Sequence, residues 1–102
     1  MIPTTREEFR LRMEKSGVLP NLRGGIERYF FDRVQPGHFL TAVLKGDLYE
    51  TFARADDSSV ENLQAIIRFL YNHTAGTAYG TPVKVQKWLK GELESPYQSE
   101  ES

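Results

Sequence analysis

Pro36-Gly37-His38-Phe39-Leu40-Thr41-Ala42-Val43-Leu44-Lys45-Gly46-Asp47-Leu48-Tyr49-Glu50-Thr51-Phe52-Ala53-Arg54-Ala55 is the stretch that decides the fold class. Leu40, Leu44, Leu48 and Phe52 recur every four residues, and Phe39 and Val43 widen the same face. A helix gathers such positions on one side, whereas a half-buried strand would need alternation. This face is therefore expected to form the heart of the core. Gly46-Asp47 interrupts the run, and Asp47 is a good N-cap, so two consecutive short helices and one continuous helix both fit.

Downstream, Ala55-Asp56-Asp57-Ser58-Ser59 reads as a loop in which Asp57, Ser58 or Ser59 can cap a further helix, and Ser58 to Glu61 has capping-box spacing. That helix is expected from Val60 to Asn72, with Val60, Leu63, Ile67 and Leu70 on one face and Ile66, Phe69 and Tyr71 beside it. So broad a stripe suits a central helix. His73 to Gly80 is loop in composition and leads into Thr81-Pro82, an N-cap followed by proline in the first turn. A last helix from Pro82 to Lys90 turns Val85, Trp88 and Leu89 inward before Gly91 closes it.

Upstream, Thr5-Arg6-Glu7-Glu8 forms a capping box, and a first helix from Arg6 to Lys15 carries only a thin apolar stripe of Phe9 and Met13. Ser16-Gly17 ends it. Asn21 is placed to cap a second helix running to Val34, whose stripe is Leu22, Ile26, Tyr29 and Phe30. Gly24-Gly25 costs this helix on the order of 2 kcal/mol relative to alanines, so it is expected to start at Gly25 or bend there.

The chain reads as an all-α, compact single-domain bundle of about five to six short helices. Its parts are an N-terminal helix and linker (1–20), a helical core (21–91) and a disordered acidic tail (92–102) in which glutamates, serines and Pro96 predominate. A length of 102 residues suits one core, and aromatics at 12% supply much of its bulk. A net charge of −1 does not suit a chain that wraps nucleic acid over its whole surface. No cysteine is present, which removes disulfides and thiolate metal sites and favours a reducing cytoplasm. No segment has the apolar length of a membrane span or a signal peptide.

Chemistry is sparse. His38 and His73 lie on different segments, neither beside a second ligand at helical spacing, so no metal, cofactor or catalytic residue is assigned. Asp56 to Glu61 lacks the alternating acids and central glycine of a calcium loop. Arg6, Arg10, Arg23, Arg28 and Arg33 group on the first two helices and could contact phosphates, though Glu27, Asp32 and other acids at neighbouring positions dilute them into a salt-bridged face.

Pro36-Gly37-His38-Phe39-Leu40, Ala42-Val43-Leu44, Asp47-Leu48, Phe52, Ala55-Asp56, Phe69-Leu70-Tyr71-Asn72, Gly80-Thr81-Pro82, Lys84-Val85 and Trp88-Leu89 resemble a group of small proteins of tailed phages and prophages. Upstream of these, Ile26-Glu27-Arg28-Tyr29 is similar as well, so the resemblance covers roughly residues 22–90. It implies a phage origin and action in a bacterial cytoplasm, and it brings no activity with it. Among the matching residues, packing does not require Asp47, Asp56, Tyr71 or Asn72, and a shared binding site is expected there, with His38 and Tyr79 nearby. Asp47 and Asp56 also suit helix caps, Tyr71 a half-buried position and Asn72 a C-cap. The function expected is protein binding by an accessory protein without catalysis, with a host or phage protein as partner and self-association open. The alternative is a nucleic-acid-associated module using the five arginines.

Overall fold

Capping side chains set most of the helix starts. In the computed structural model, which describes residues 1–98, α1 spans Arg6–Ser16, α2 Pro20–Asp32, α3 His38–Lys45, α4 Leu48–Arg54, α5 Asp57–His73 and α6 Pro82–Leu89, with a 3-10 turn at Gly76–Ala78. Thr5, Asp47, Asp56 and Thr81 each accept a hydrogen bond from the amide three residues on, satisfying a donor the helix itself leaves open. Among the described residues no strand forms, and the architecture is the expected all-α single-domain bundle.

Two helix starts differ from the sequence reading. Leu19 is the N-cap of α2 and Pro20 begins it, so Asn21 lies inside the helix and Gly24-Gly25 remain helical. Proline in a first turn loses no hydrogen bond and presets φ, which moves the start upstream of both glycines. Helix α5 starts at Asp57 and is capped by Asp56, ahead of the serine capping box.

Gly46-Asp47 does divide the decisive stretch. Gly46 sits at φ 74° and ends α3, while the Asp47 amide bonds back to the Ala42 carbonyl at 3.0 Å. The loop before α6 locks this break in place: the Gly80 amide donates to the Leu44 carbonyl at 2.7 Å, and the Gly80 oxygen lies 2.6 Å from where a Gly46 Cβ would stand. No side chain fits there at that φ. The left-handed residue resets the helical phase, so α4 does not continue the buried stripe of α3.

The core is aromatic. Phe9, Tyr29, Phe30, Phe69 and Trp88 are buried, with edge-to-face contacts at 5.3 Å between Phe9 and Phe69 and 5.1 Å between Tyr29 and Phe30. Both polar aromatic groups are satisfied: Trp88 Nε1 donates to the Tyr29 carbonyl at 2.8 Å, and the Tyr29 hydroxyl donates to the Ala78 carbonyl at 2.5 Å. Burial holds the Tyr29 hydroxyl protonated well above its ordinary range. The radius of gyration, 12.8 Å, matches the roughly 13 Å of a single compact domain of this length.

Both ends belong to this core. Phe9 and Met13 of α1 are buried, so the N-terminal helix is a core element and not an appended segment. Two apolar residues four apart suffice because Phe9 alone contacts Phe30, Phe31, Phe69 and Tyr97. The expected disordered tail is likewise corrected as far as residue 98. Leu93 and Tyr97 pack on the core, the Tyr97 ring lies 4.6 Å from Phe31, and its hydroxyl accepts from the Ala75 amide at 2.9 Å. The Gln98 amide then bonds to the Thr4 carbonyl at 2.7 Å. Residues 99–102 of that expected tail lie outside the described residues.

Candidate functional site

Helix α4 is short, capped at Asp47 and anchored by Thr51, whose buried hydroxyl donates to the Asp47 carbonyl at 2.6 Å. It packs on α3, and Thr51 is its buried residue. The opposite consequence falls on Leu48, Tyr49 and Phe52, which are 61%, 87% and 48% exposed. These three stand at i, i+1 and i+4 and share a face turned to solvent. The expectation that Leu48 and Phe52 lie in the core is thereby overturned. The phase shift at Gly46 is the cause, since α3 keeps Leu40, Val43 and Leu44 buried while the same four-residue spacing carried into α4 points outward.

Helix α5 has two apolar faces. Ile66, Phe69 and Leu70 are buried, while Ile67 at 47% and Tyr71 at 80% are exposed together with Val60, against the expectation of one inward stripe and a half-buried Tyr71. Leu63, Gln64, Ile67, Arg68, Tyr71 and Asn72 line a shallow, mainly apolar groove along this outer side. The expected site residues Tyr71 and Asn72 thus come together here. Asn72 does not cap a C-terminus, because α5 runs on to His73 and the Asn72 amide donates to the Arg68 carbonyl at 3.0 Å.

The other expected site residues are placed apart. Asp47 accepts from the Glu50 amide at 3.0 Å and Asp56 from the Ser59 amide at 2.8 Å, so both carboxylates act as helix caps. The Ser59 backbone bond, chief among the causes, lowers the Asp56 pKa. His38 is the exposed first residue of α3. The Tyr79 hydroxyl donates to the Leu70 carbonyl at 3.0 Å, and its burial raises the pKa. His73 lies 3.3 Å from Arg12 through Nδ1; desolvation first, then Arg12 and the N-terminal amine, lower its pKa. Among the described residues, no group of three or more acidic or histidine side chains is placed to hold a metal ion. No helix of the described residues is long and apolar enough to cross a membrane.

Arg6, Arg10, Arg23 and Arg33 are engaged within the molecule. Arg10 donates to both Glu27 oxygens at 2.7 and 2.8 Å, while Arg6 pairs with Glu27 at 3.4 Å and with Asp32, over the Phe31 ring. Arg23 donates to the Val18 carbonyl at 2.8 Å. Arg33 stacks on Trp88 with its guanidinium carbon 4.0 Å from the ring centroid. Arg28 is exposed. These contacts tie helices together, and their chemistry is that of fixed intramolecular charge pairs.

Leu48, Tyr49, Phe52 and Ile67 are the residues that sequence reasoning missed as surface. Two signals mark them: a glycine suited to the left-handed region that breaks a four-residue period, and an apolar arc on α5 too wide for one contact. Comparison of the chain with protein-family models, with curated proteins and with solved structures finds no match.

Proposed function

We propose that this chain is a phage- or prophage-encoded accessory protein that acts in the bacterial cytoplasm by binding another protein, without catalysis. The observation that carries the reading is the outward face of α4, where Leu48, Tyr49 and Phe52 stand in water beside a core that is already closed. Burying a side chain of this size is worth roughly 1.5–3 kcal/mol, and neighbouring apolar side chains held in solvent on a rigid helix mark contact surfaces more often than scattered ones do. Tyr49 and Phe52 are projecting aromatic groups on a convex helix, so the partner that fits is a host or phage protein with a concave apolar cleft. The engagement of Arg6, Arg10, Arg23 and Arg33 inside the fold supports this reading over phosphate contact.

The test has two arms. Capture from infected or lysogenic host lysate, followed by mass spectrometry, is expected to retain a protein with the wild-type chain and to lose it with Tyr49→Ala or Phe52→Glu, both folded to wild-type stability. Titration with nonspecific DNA is expected to give no binding at low salt. Retention that survives both substitutions, or DNA affinity that falls steeply with salt, overturns the proposal.

A further inference from the structure

Helix α5 carries an arrangement that selects its own occupant. At about 100° per residue, Val60, Leu63, Ile67 and Tyr71 fall within an arc of roughly 80° along one side of the helix, with Val60, Ile67 and Tyr71 exposed and Leu63, at the edge of the arc, partly buried against the core. One edge of this strip meets the body of the protein, where Ile66 and Leu70 are buried. The other edge is polar and occupied by Asp57, Glu61, Gln64 and Arg68, all exposed, within roughly the next 80°. The acids stand toward the N-terminal half and the arginine toward the C-terminal half. Among the described residues neither Glu61 nor Arg68 has an ion-pair partner.

We propose that two copies of this chain pair through α5 in antiparallel orientation, Glu61 of each copy meeting the partner's Arg68. A twofold axis across two antiparallel helices brings the same flank of each copy together, so polar edge faces polar edge. A parallel pair would instead set each charged edge against the partner's body. Reversal of direction then places acid opposite base. The midpoint of Glu61 and Arg68 falls between Gln64 and Ala65, and the midpoint of Leu63 and Ile67 falls on Ala65. One axis therefore serves both the ion pairs and the apolar contacts, and it sets Leu63 against the partner's Ile67. A hydrophobic seam edged by charges that specify orientation is the logic of paired helices generally.

Helix α5 has 17 residues, about 25 Å of length. A strip of that length buries roughly 400 Å² per copy, about half of the ~800 Å² per partner of a stable interface. The dimer is accordingly a weak one, formed at high local concentration. This pairing rests on the reading that the uncovered apolar faces are binding faces, and it leaves α4 available to a different partner.

Sedimentation velocity of the full chain, at concentrations up to about 1 mM, tests it. The wild type is expected to shift from monomer to dimer. Glu61→Arg and Arg68→Glu are each expected to weaken that shift at least about tenfold, because symmetry places two like-charge contacts in each homodimer. The double variant Glu61→Arg/Arg68→Glu is expected to recover it, and an equimolar mixture of the two single variants to form a heterodimer. Both positions are exposed, so folding is undisturbed, and circular dichroism checks this. A wild type that stays monomeric, or single variants that dimerise as the wild type does, or a double variant that fails to recover, overturns the pairing. Those outcomes leave the α4 capture experiment untouched. Intact dimerisation with no α4-dependent capture overturns the partner reading and supports the pairing.

Discussion

The guanidinium carbon of Arg33 stands over the Trp88 ring, 4.0 Å from its centroid, and the same group donates to the Trp88 carbonyl at 2.8 Å and to the Leu93 carbonyl at 2.5 Å. One side chain thus caps the end of α6, covers the central indole and fastens the segment after it. Arg33 also ends α2 at φ 56°, the one non-glycine residue with positive φ among the described residues. A strained backbone is tolerated because three contacts offset it. Arg33→Ala is expected to destabilise the fold by about 2 kcal/mol in chemical denaturation. Arg33→Lys is expected to lose more than half as much, since an ammonium cannot fork to two carbonyls while stacking.

Gly46 offers a second test of backbone chemistry. A Cβ there would stand 2.6 Å from the Gly80 oxygen, at a φ of 74° that alanine adopts reluctantly. Gly46→Ala is expected to cost about 2 kcal/mol or more and to broaden the amide signals of residues 44 and 80, whose hydrogen bond closes this corner. Gly76→Ala, where nothing lies within 4 Å, is the control and is expected to stay within about 0.5 kcal/mol of wild type.

Leu44 and Leu48 have the same spacing in sequence and opposite fates. Leu44→Ala is expected to cost about 2–5 kcal/mol as a core truncation. Leu48→Ala, at 61% exposure, is expected to change stability by less than about 0.5 kcal/mol. Equal losses in the two variants would mean that α4 continues the buried stripe of α3.

The features legible in the sequence and those hidden in it divide along physical lines. Helix existence, the Thr5, Asp47 and Thr81 caps and the inward Val85 and Trp88 were legible because capping and periodicity act over a single turn. The fate of Leu48 and Phe52 was not, because it depends on the phase of α4 after a left-handed glycine, and that phase is fixed by Gly80, remote in sequence. Phe9 looked weakly supported because its stripe is thin, yet its partners come from α2, α5 and the C-terminal segment. Tyr97 was hidden by acidic, serine-rich neighbours whose composition resembles a solvated tail. Of the expected site, the pair Tyr71 and Asn72 fell together by lying on one helix turn, while Asp47 and Asp56 resolved into caps.

Tyr97 makes the order of the C-terminal segment measurable. Its ring packs among Phe9, Phe30, Phe31 and Trp88, and its hydroxyl satisfies the amide of the buried residue Ala75. Tyr97→Phe is expected to cost about 1 kcal/mol for the lost hydrogen bond, and Tyr97→Ala about 3 kcal/mol. A disordered tail would tolerate both without change in the denaturation midpoint.

His73 sets the expected response to acid. Its Nδ1 lies 3.3 Å from the Arg12 guanidinium, which can only donate, so Nδ1 accepts and the proton resides on Nε2 of a neutral ring. Desolvation, Arg12 and the N-terminal amine all lower its folded pKa, whereas the unfolded imidazole titrates near its ordinary value of about 6.5. Between those two values the unfolded chain binds more protons than the folded one, so stability is expected to decline as the pH falls from about 6.5 and to level off below the folded pKa. His73→Gln keeps an acceptor for Arg12 and removes the titration, and it is expected to flatten this decline. Asp56 acts in a separate window: its lowered pKa means that its contribution holds above the ordinary carboxylate range and is lost only as the pH falls through the lowered value. Denaturation midpoints of wild type, His73→Gln and Asp56→Asn across both windows separate the two. An unchanged slope near pH 6 in His73→Gln would assign the acid response elsewhere.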